Sequence, residues 1–189
     1  KVLVLKHNKI AYVPKTSKTH RSIAVEPLLN GFVQKGIDEH MRLRLKRIGI
    51  DLSDQSRNQR MAREGSLVDD DNSFVTIDLS SASDSISIEV VREVLPPNWF
   101  DLLNSVRSRN YLDGKTEKVF HKFCSMGNGF CFPLETLLFT ACCVVSGCGK
   151  PGQDFSVYGD DIIVRKKHAD SLIRLLGYLG FSVNEEKTF

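Results

Sequence analysis

Three aspartates carry the densest chemistry in this chain. Asp160 and Asp161 are adjacent and follow Gly159, and Asp78 lies far upstream of them. Two neighbouring carboxylates repel one another and resist desolvation, so a fold that keeps them together beside apolar strands ordinarily supplies a cation. The flanks read as such strands. Phe155-Ser-Val-Tyr158 and Ile162-Ile-Val164 are β-branched and aromatic runs pinched at Gly159-Asp160-Asp161, which predicts a hairpin with acids at its tip. Gly at the first central position suits a type II′ turn. For an Asp-Asp pair alone, a solvated turn is the bland alternative. Asp78 ends another apolar run, Phe74-Val-Thr-Ile-Asp-Leu79. Alone it reads equally as a turn former, but with the hairpin acids it supplies the third carboxylate that a two-metal site requires.

Two further segments carry chemistry of a different kind. Lys15, Lys18 and Arg21 recur every third residue among hydroxyls in Val13-Pro-Lys-Thr-Ser-Lys-Thr-His-Arg-Ser22. Such cations can wrap a triphosphate, Arg as a planar fork and Lys as a point charge, or they can simply decorate a surface turn. Ser125-Met-Gly-Asn-Gly129 runs into the apolar stretch Leu134 to Val145. Gly127 and Gly129 around Asn128 let a backbone approach a ligand closely, and a plain loop-to-helix junction is the alternative.

The elements that must position these residues follow from periodicity and punctuation. Residues 1 to 24 read as two strands joined by the basic loop. Leu29, Val33, Ile37, Met41, Leu45 and Ile48 recur at spacings of four and three before Gly49, predicting an amphipathic helix from Leu28 to Ile48 with that stripe inward. A polar helix is expected from Asp54 to Glu64, and Asp69-Asp70-Asp71 is expected to be a solvated loop. Ser80 to Ser85 can cap a helix whose apolar face is Ile86, Val90, Val91 and Val94, stopped by Pro96-Pro97. Asn98 to Arg109 predicts a further helix, Asp113-Gly114 a turn and Lys118 to Cys124 a strand. His168 to Leu179 predicts an amphipathic helix ending at Gly180, followed by a short strand at Phe181-Ser-Val183.

The bulk properties set the context. With 189 residues, 41% of them hydrophobic, the chain can bury a core. Its net charge of +3 hides an asymmetry: residues 1–63 hold 14 Lys and Arg against 5 Asp and Glu, while residues 64–189 hold 12 against 18. A basic part beside an acidic one suits a protein that holds polyphosphate or nucleic acid with one and cations with the other. The Arg42 to Arg47 run is expected to be a solvated helix face. Cys124, Cys131, Cys142, Cys143 and Cys148 show no paired CxxC spacing and read as reduced core residues of an intracellular protein. No apolar stretch reaches the ~18 to 20 residues needed to span a bilayer, and no signal-peptide pattern opens the chain, so the expectation is a cytosolic protein without membrane partners.

In chain order, a cationic loop, a strand-end Asp, a Gly-Asn-Gly loop with a helix, an Asp-Asp hairpin and a helix leading to Lys187 resemble the polymerase palm. The likeness is closer still to the replicase subunit of leviviruses, the small positive-strand RNA phages. It rests on Asp78-Leu-Ser-Ser-Ala-Ser-Asp84, Ser125 to Gly129 with Glu135, Tyr158-Gly-Asp-Asp161, and Gly180-Phe with Asn184 and Lys187-Thr-Phe189, and Val13 to Pro27 extends it. The resemblance implies an α+β right-hand polymerase fold, a palm with antiparallel sheet and flanking helices plus part of the fingers. Residues 1–73 would be a fingers-side basic segment and 74–189 the palm catalytic segment, a fragment of a longer chain with the thumb absent. It implies RNA-directed RNA polymerase activity on an RNA template with NTPs, in the cytoplasm of an infected bacterial host, and host translation factors as partners of a full-length member. Asp78 and Asp160, with Asp161 assisting, would hold two Mg²⁺ ions, with Mn²⁺ as a substitute. Lys15, Lys18 and Arg21 would take the triphosphate, and Ser125, Gly127, Asn128 and Gly129 the template and nucleotide. Asp84, directly or by way of Asn128, would read the ribose, the alternative being a helix-start role, and Lys187 would protonate pyrophosphate. A reverse transcriptase shares the Asp-Asp hairpin, but it usually carries a bulky aromatic after the strand Asp where this chain has only Ser, Ala and Asp. A non-catalytic RNA-binding module using the basic part is the alternative of another class.

Overall fold

Ile162, Ile163 and Val164 are all buried, as in a central strand covered on both faces, and the chain supplies the cover from both sides in sequence. In the computed structural model, which describes residues 7–68, 70–185 and 188, strand β8 (Asp161–Arg165) lies between β3 (Phe74–Ile77) and β7 (Ser156–Tyr158) in an antiparallel sheet of order β3-β8-β7. Helix α2 (Ser56–Gly65) and helix α7 (Lys166–Tyr178) pack against this sheet. Met61 of α2 joins Phe74 and Ile163 in one apolar cluster. The register runs Phe74↔Arg165 to Ile77↔Ile162, and the Arg165 guanidinium lies over the Phe74 ring at 3.7 Å while donating to the Asn72 carbonyl.

The chain forms two compact units, each discontinuous: residues 1–39 with 86–131, and residues 40–85 with 132–189. A boundary between residues 73 and 74 therefore falls inside the second unit rather than between units, because β3 pairs with β8 and α2 packs on both. The second unit holds the sheet just described, the small antiparallel pair β4 (Leu79–Ser80) and β9 (Ser182–Val183), the short helix α3 (Ala82–Ser85) and most of α6 (Cys131–Val145). The first unit holds a four-stranded mixed sheet of order β2-β1-β5-β6. Its strands are β1 (His7–Pro14), β2 (His20–Val25), β5 (Asn110–Asp113) and β6 (Thr116–Val119), with β1 and β5 parallel. Helices α4 (Ile88–Val94) and α5 (Pro97–Val106) belong to this unit, and helix α1 (Leu28–Arg47) contributes to both. The whole is thus a mixed α+β architecture.

Several local expectations change in the folded chain. The stripe of α1 is buried at Met41 and Leu45 only, while Leu29 and Val33 are exposed and Gln34 and Asp38 are buried in their place. The physical reason is that Gln34 finds hydrogen bonds inside the first unit, as detailed below. Ser80 to Ser85 do not cap one continuous helix. Ile86 is fully buried and its carbonyl accepts from Phe123 N–H, and Ser87 bridges to Lys122, which breaks the helix into α3 and α4. The α4 N-cap is then Ser87, whose side chain accepts from Val90 N–H at 3.1 Å. Helix α5 starts at Pro97 and stops at Val106 rather than at Arg109, because the following residues enter β5, paired with both β1 and β6. The Lys118 to Cys124 strand is displaced to Thr116–Val119 by the Asp113-Gly114 turn, Gly114 taking φ +63°. Within the arginine run, Arg42 is engaged, lying over the Phe132 ring and donating to the Leu52 carbonyl, and Lys46 pairs with Asp51 at 2.7 Å. All five cysteines are free and buried, and among the described residues no helix is long and apolar enough to cross a membrane.

The hairpin at the sheet centre has a two-residue loop. Tyr158 pairs with Asp161, leaving Gly159 and Asp160 as the central residues. Gly159 takes φ +66° and no positive φ is found at Asp160, the pattern of a type II′ turn. A Cβ at Gly159 would lie 2.3 Å from the Phe132 ring. Gly159→Ala should therefore combine left-handed strain with overpacking and lower stability by about 2 to 4 kcal/mol, read as a shift of the urea midpoint without a change in slope.

Candidate functional site

Asp78 occupies the point where one strand changes partners. Residues before it pair with β8 and residues after it with β9. Ile77 and Leu79 are buried on either side, which by strand alternation turns Asp78 to the opposite side. Its carbonyl accepts from Asn184 N–H at 2.9 Å, so β9 fixes the backbone here. Across the sheet, Asp161 begins β8 beside this position, and its own carbonyl accepts from the Asn58 side chain of α2 at 3.2 Å. A cavity of about 420 Å³ opens between α2 and the sheet, lined by Asp78, Asp161, Gln55, Asn58 and Ala62 among others. Asp161 is exposed as a residue, yet desolvation on its inner side pushes its carboxyl above the usual range, followed by the charges of Asp160 and Asp78.

The turn itself is held from beneath by α6. Gly159 N–H donates to Thr136 Oγ1 at 3.0 Å, Thr136 Oγ1 donates to the Phe132 carbonyl, and the Phe132 ring meets Tyr158 edge-on at 5.0 Å. Phe132, Glu135 and Thr136 stand at i, i+3 and i+4, one face of the helix, and this face places Glu135 within electrostatic reach of Asp160 and Asp84. Glu135 is buried, and its carboxyl rises from an ordinary 4.5 to about 8, chiefly by desolvation and then by the charges of Asp160 and Asp84. Asp84 itself is the third residue of α3, which follows Ser81 in a left-handed conformation at φ +53°. That conformation costs a non-glycine residue about 1 to 2 kcal/mol.

The second unit thus gathers Asp78, Asp84, Asp160 and Asp161 into one acidic neighbourhood, with Glu135 as a member that the sequence named only within a motif. The signal for Glu135 was available: it is the lone charged residue of α6, whose other fourteen residues are apolar, Pro or Thr. Asn58 and Thr136 carried no such signal. Carboxylate oxygens suit a hard cation. Among the described residues no three or more His, Cys, Asp or Glu side chains form a ready-made metal cage. Lys187 lies outside the described residues, as does Asp69.

The remaining candidates lie in the first unit. Lys15 and Lys18 are exposed on the β1–β2 connection, and Arg21 is exposed within β2, paired with Val13. The hydroxyls among them order the loop: Thr16 Oγ1 accepts from Lys18 N–H and Thr19 N–H at 3.2 and 3.1 Å. In the Ser125–Gly129 loop the Ser125 carbonyl accepts from Asn128 N–H and Asn128 Oδ1 accepts from Phe130 N–H at 3.0 Å. Gly127, at φ +109°, is required by protein backbone, since a Cβ there would lie 2.3 Å from the Ala24 carbonyl oxygen.

A family model described as RNA replicase, beta-chain, matches residues 2–189. The RNA-directed RNA polymerase subunit beta of Enterobacteria phage SP is 48% identical over 187 residues, covering 96% of this chain and 32% of that protein. The corresponding subunit of Escherichia virus Qbeta is 44% identical, covering 96% and 31%, and the beta chain of Escherichia phage MS2 is 44% identical, covering 96% and 33%. The chain therefore spans about a third of the length of these relatives. Among solved structures, a telomerase from Candida albicans in complex with a fragment of telomeric RNA aligns with a TM-score of 0.57 at 13% identity, covering 96% of this chain and 41% of that one, a likeness of fold.

Burial of Glu135 has a stability consequence whose sign is fixed. Its folded pKa lies above its unfolded value, so between about pH 4.5 and 8 the folded state keeps a proton that the unfolded state releases, and stability falls as pH rises through that window. Glu135→Gln should flatten this dependence and be the more stable protein at pH 8 by a few kcal/mol, measured by urea unfolding at a series of pH values in the presence of a chelator.

Proposed function

Because this chain belongs to the RNA replicase beta-chain family, we propose that it forms the catalytic part of an RNA-directed RNA polymerase, a polymerase palm with part of the fingers. The observation that carries the reading is the convergence of Asp78, Asp160 and Asp161 at one end of the β3-β8-β7 sheet, each within electrostatic reach of another. Asp78 and Asp160, assisted by Asp161, would hold two Mg²⁺ ions, or Mn²⁺ as a substitute. Held by these carboxylates, such ions would supply positive charge against the attacking 3′ hydroxyl and the departing pyrophosphate in an in-line displacement at the α-phosphate.

The chain's own residues supply orientation and charge. The main-chain bonds of Asp78 to Asn184 and of Asp161 to Asn58 fix the carboxylates on rigid strands, which matters because phosphoryl transfer depends mostly on positioning and electrostatics. Glu135, buried and protonated near neutrality, keeps one more negative charge out of the cluster. Lys15, Lys18 and Arg21 offer positive charge to the triphosphate, Ser125, Gly127, Asn128 and Gly129 line the template and nucleotide, and Lys187 donates a proton to pyrophosphate. Partners are RNA template and product, NTPs and, for the full-length subunit, host translation factors, with the cytoplasm of an infected bacterium as the place of action.

In the full-length polypeptide, Asp160→Asn should reduce RNA synthesis by at least about 10³-fold while RNA affinity stays within about twofold, because binding rests on phosphate electrostatics. Primer extension and filter binding on the same preparation decide it: loss of both together would assign Asp160 to folding or RNA binding rather than to a metal, and absence of synthesis by the unsubstituted polypeptide would leave the non-catalytic RNA-binding reading.

Asp84 is the ribose reader in this scheme. A deoxynucleotide leaves its carboxylate without the 2′ hydroxyl, which corresponds to about a ten- to hundredfold preference for ribonucleotides. Asp84→Ala should lower kcat/KM for the ribonucleotide and leave the deoxynucleotide value flat, and an unchanged ratio assigns Asp84 to helix-start stabilisation.

A further inference from the structure

The first half of α1 is built inside out. Leu28, Leu29 and Phe32 are exposed, while Gln34, two residues on, is fully buried. A neutral amide is buried without cost only when both its ends are satisfied, and here each end reaches a distant part of the chain. Gln34 Nε2 donates to the Val106 carbonyl at 2.9 Å, and Gln34 Oε1 accepts from Gly129 N–H at 2.9 Å. Val106 is the last residue of α5, whose terminal carbonyls have no partner within the helix, and Gly129 lies just ahead of α6, whose first amides likewise need acceptors. One side chain thus satisfies a helix C-terminal carbonyl and a loop amide ahead of α6 at once, the carboxamide supplying the donor for one and the acceptor for the other.

The same loop is held at its other end. Ala24 N–H of β2 donates to the Met126 carbonyl at 2.7 Å. A Cβ at Gly129 would stand 2.9 Å from Gln34 Cβ, so the backbone is seated against the glutamine itself. Between these two clamps only Gly127 is exposed. Both clamps come from β2 and α1, the continuous stretch that also carries Arg21.

We propose that Gln34 is a positioning residue that fixes the Ser125–Gly129 loop and thereby sets nucleotide affinity and selection. This rests on the reading of that loop as part of the nucleotide and template site. Without Gln34 the loop keeps its Met126 anchor and loses the one at Gly129, so the surface offered to a nucleotide is no longer defined. RNA affinity, which rests mostly on phosphate charge, stays within about twofold.

The test uses Gln34→Met in the full-length polypeptide, which keeps side-chain length and removes both hydrogen bonds. Leu103→Ala is the control, a fully buried residue of the same unit whose truncation destabilises while leaving Gln34 and both of its main-chain partners unchanged in type. Hydrogen exchange of the segment 125–131 should show protection at Gly129 falling about tenfold or more in Gln34→Met and not in Leu103→Ala. Single-nucleotide incorporation should show KM for the NTP raised about tenfold with kcat changed by less than about threefold, and RNA affinity constant. Gln34→Glu, which retains the acceptor for Gly129 but has no donor for Val106, should regain part of the Gly129 protection. Unchanged exchange in Gln34→Met, or equal KM shifts in Gln34→Met and Leu103→Ala, would overturn the proposal. Absence of incorporation by the unsubstituted polypeptide would defeat the polymerase reading instead, and the exchange measurements would still decide whether Gln34 sets the loop.

Discussion

Burying carboxylates beside one another is the constraint around which the second unit is arranged: desolvation first and neighbouring negative charge second raise the carboxyls of Asp161 and Glu135. Asp78 and Asp160 act on Asp161, and Asp160 and Asp84 act on Glu135. Left to itself, such a cluster would spread into solvent. It is kept together because each backbone segment that carries an acid is fastened from elsewhere: the turn by Thr136, β8 by Asn58, and the Asp78 segment by Asn184. The apolar mass behind them, Ile162 to Val164 in the sheet and Met61 with Phe74 at its edge, supplies the stability from which this unfavourable electrostatic term is subtracted.

The first unit solves a different problem, holding a glycine-rich segment that has no sheet or helix of its own. Its amides and carbonyls are distributed among Ala24, Gln34 and the side chain of Asn128. The outcome is a short irregular stretch anchored at Met126 and at Gly129 by groups from outside it.

Patterns that depend on neighbours in sequence were legible. The hairpin, its turn type, the extent of α1 and the stop at Gly49 follow from local residue types and are present as read. Features that depend on distant partners were not. The buried side of early α1 is decided by Val106 and Gly129, and the break between α3 and α4 by the bond from Phe123 to Ile86. No periodicity near residues 34 or 86 encodes these. At the site, the three aspartates stood out as a set, because adjacent acids beside apolar strands repel and resist desolvation and a third acid ends another strand. Glu135 gained a role only once α6 was seen to set it at i+3 from Phe132, the residue that covers the turn.

The brevity of the Gly159-Asp160 connection governs where this chain tolerates a change of length. A two-residue loop transmits register directly from β7 to β8, so one inserted residue would move every side chain of β8 to the opposite face. Asp161 would turn inward and the pairing of Ile162 with Ile77 would be lost. By contrast, the Lys15 to Thr19 connection is exposed and closed by its own threonines, and added residues there would lengthen a loop without shifting a core strand. Natural variation in length among related chains is thus expected to collect at the cationic connection and to be excluded from the acidic one.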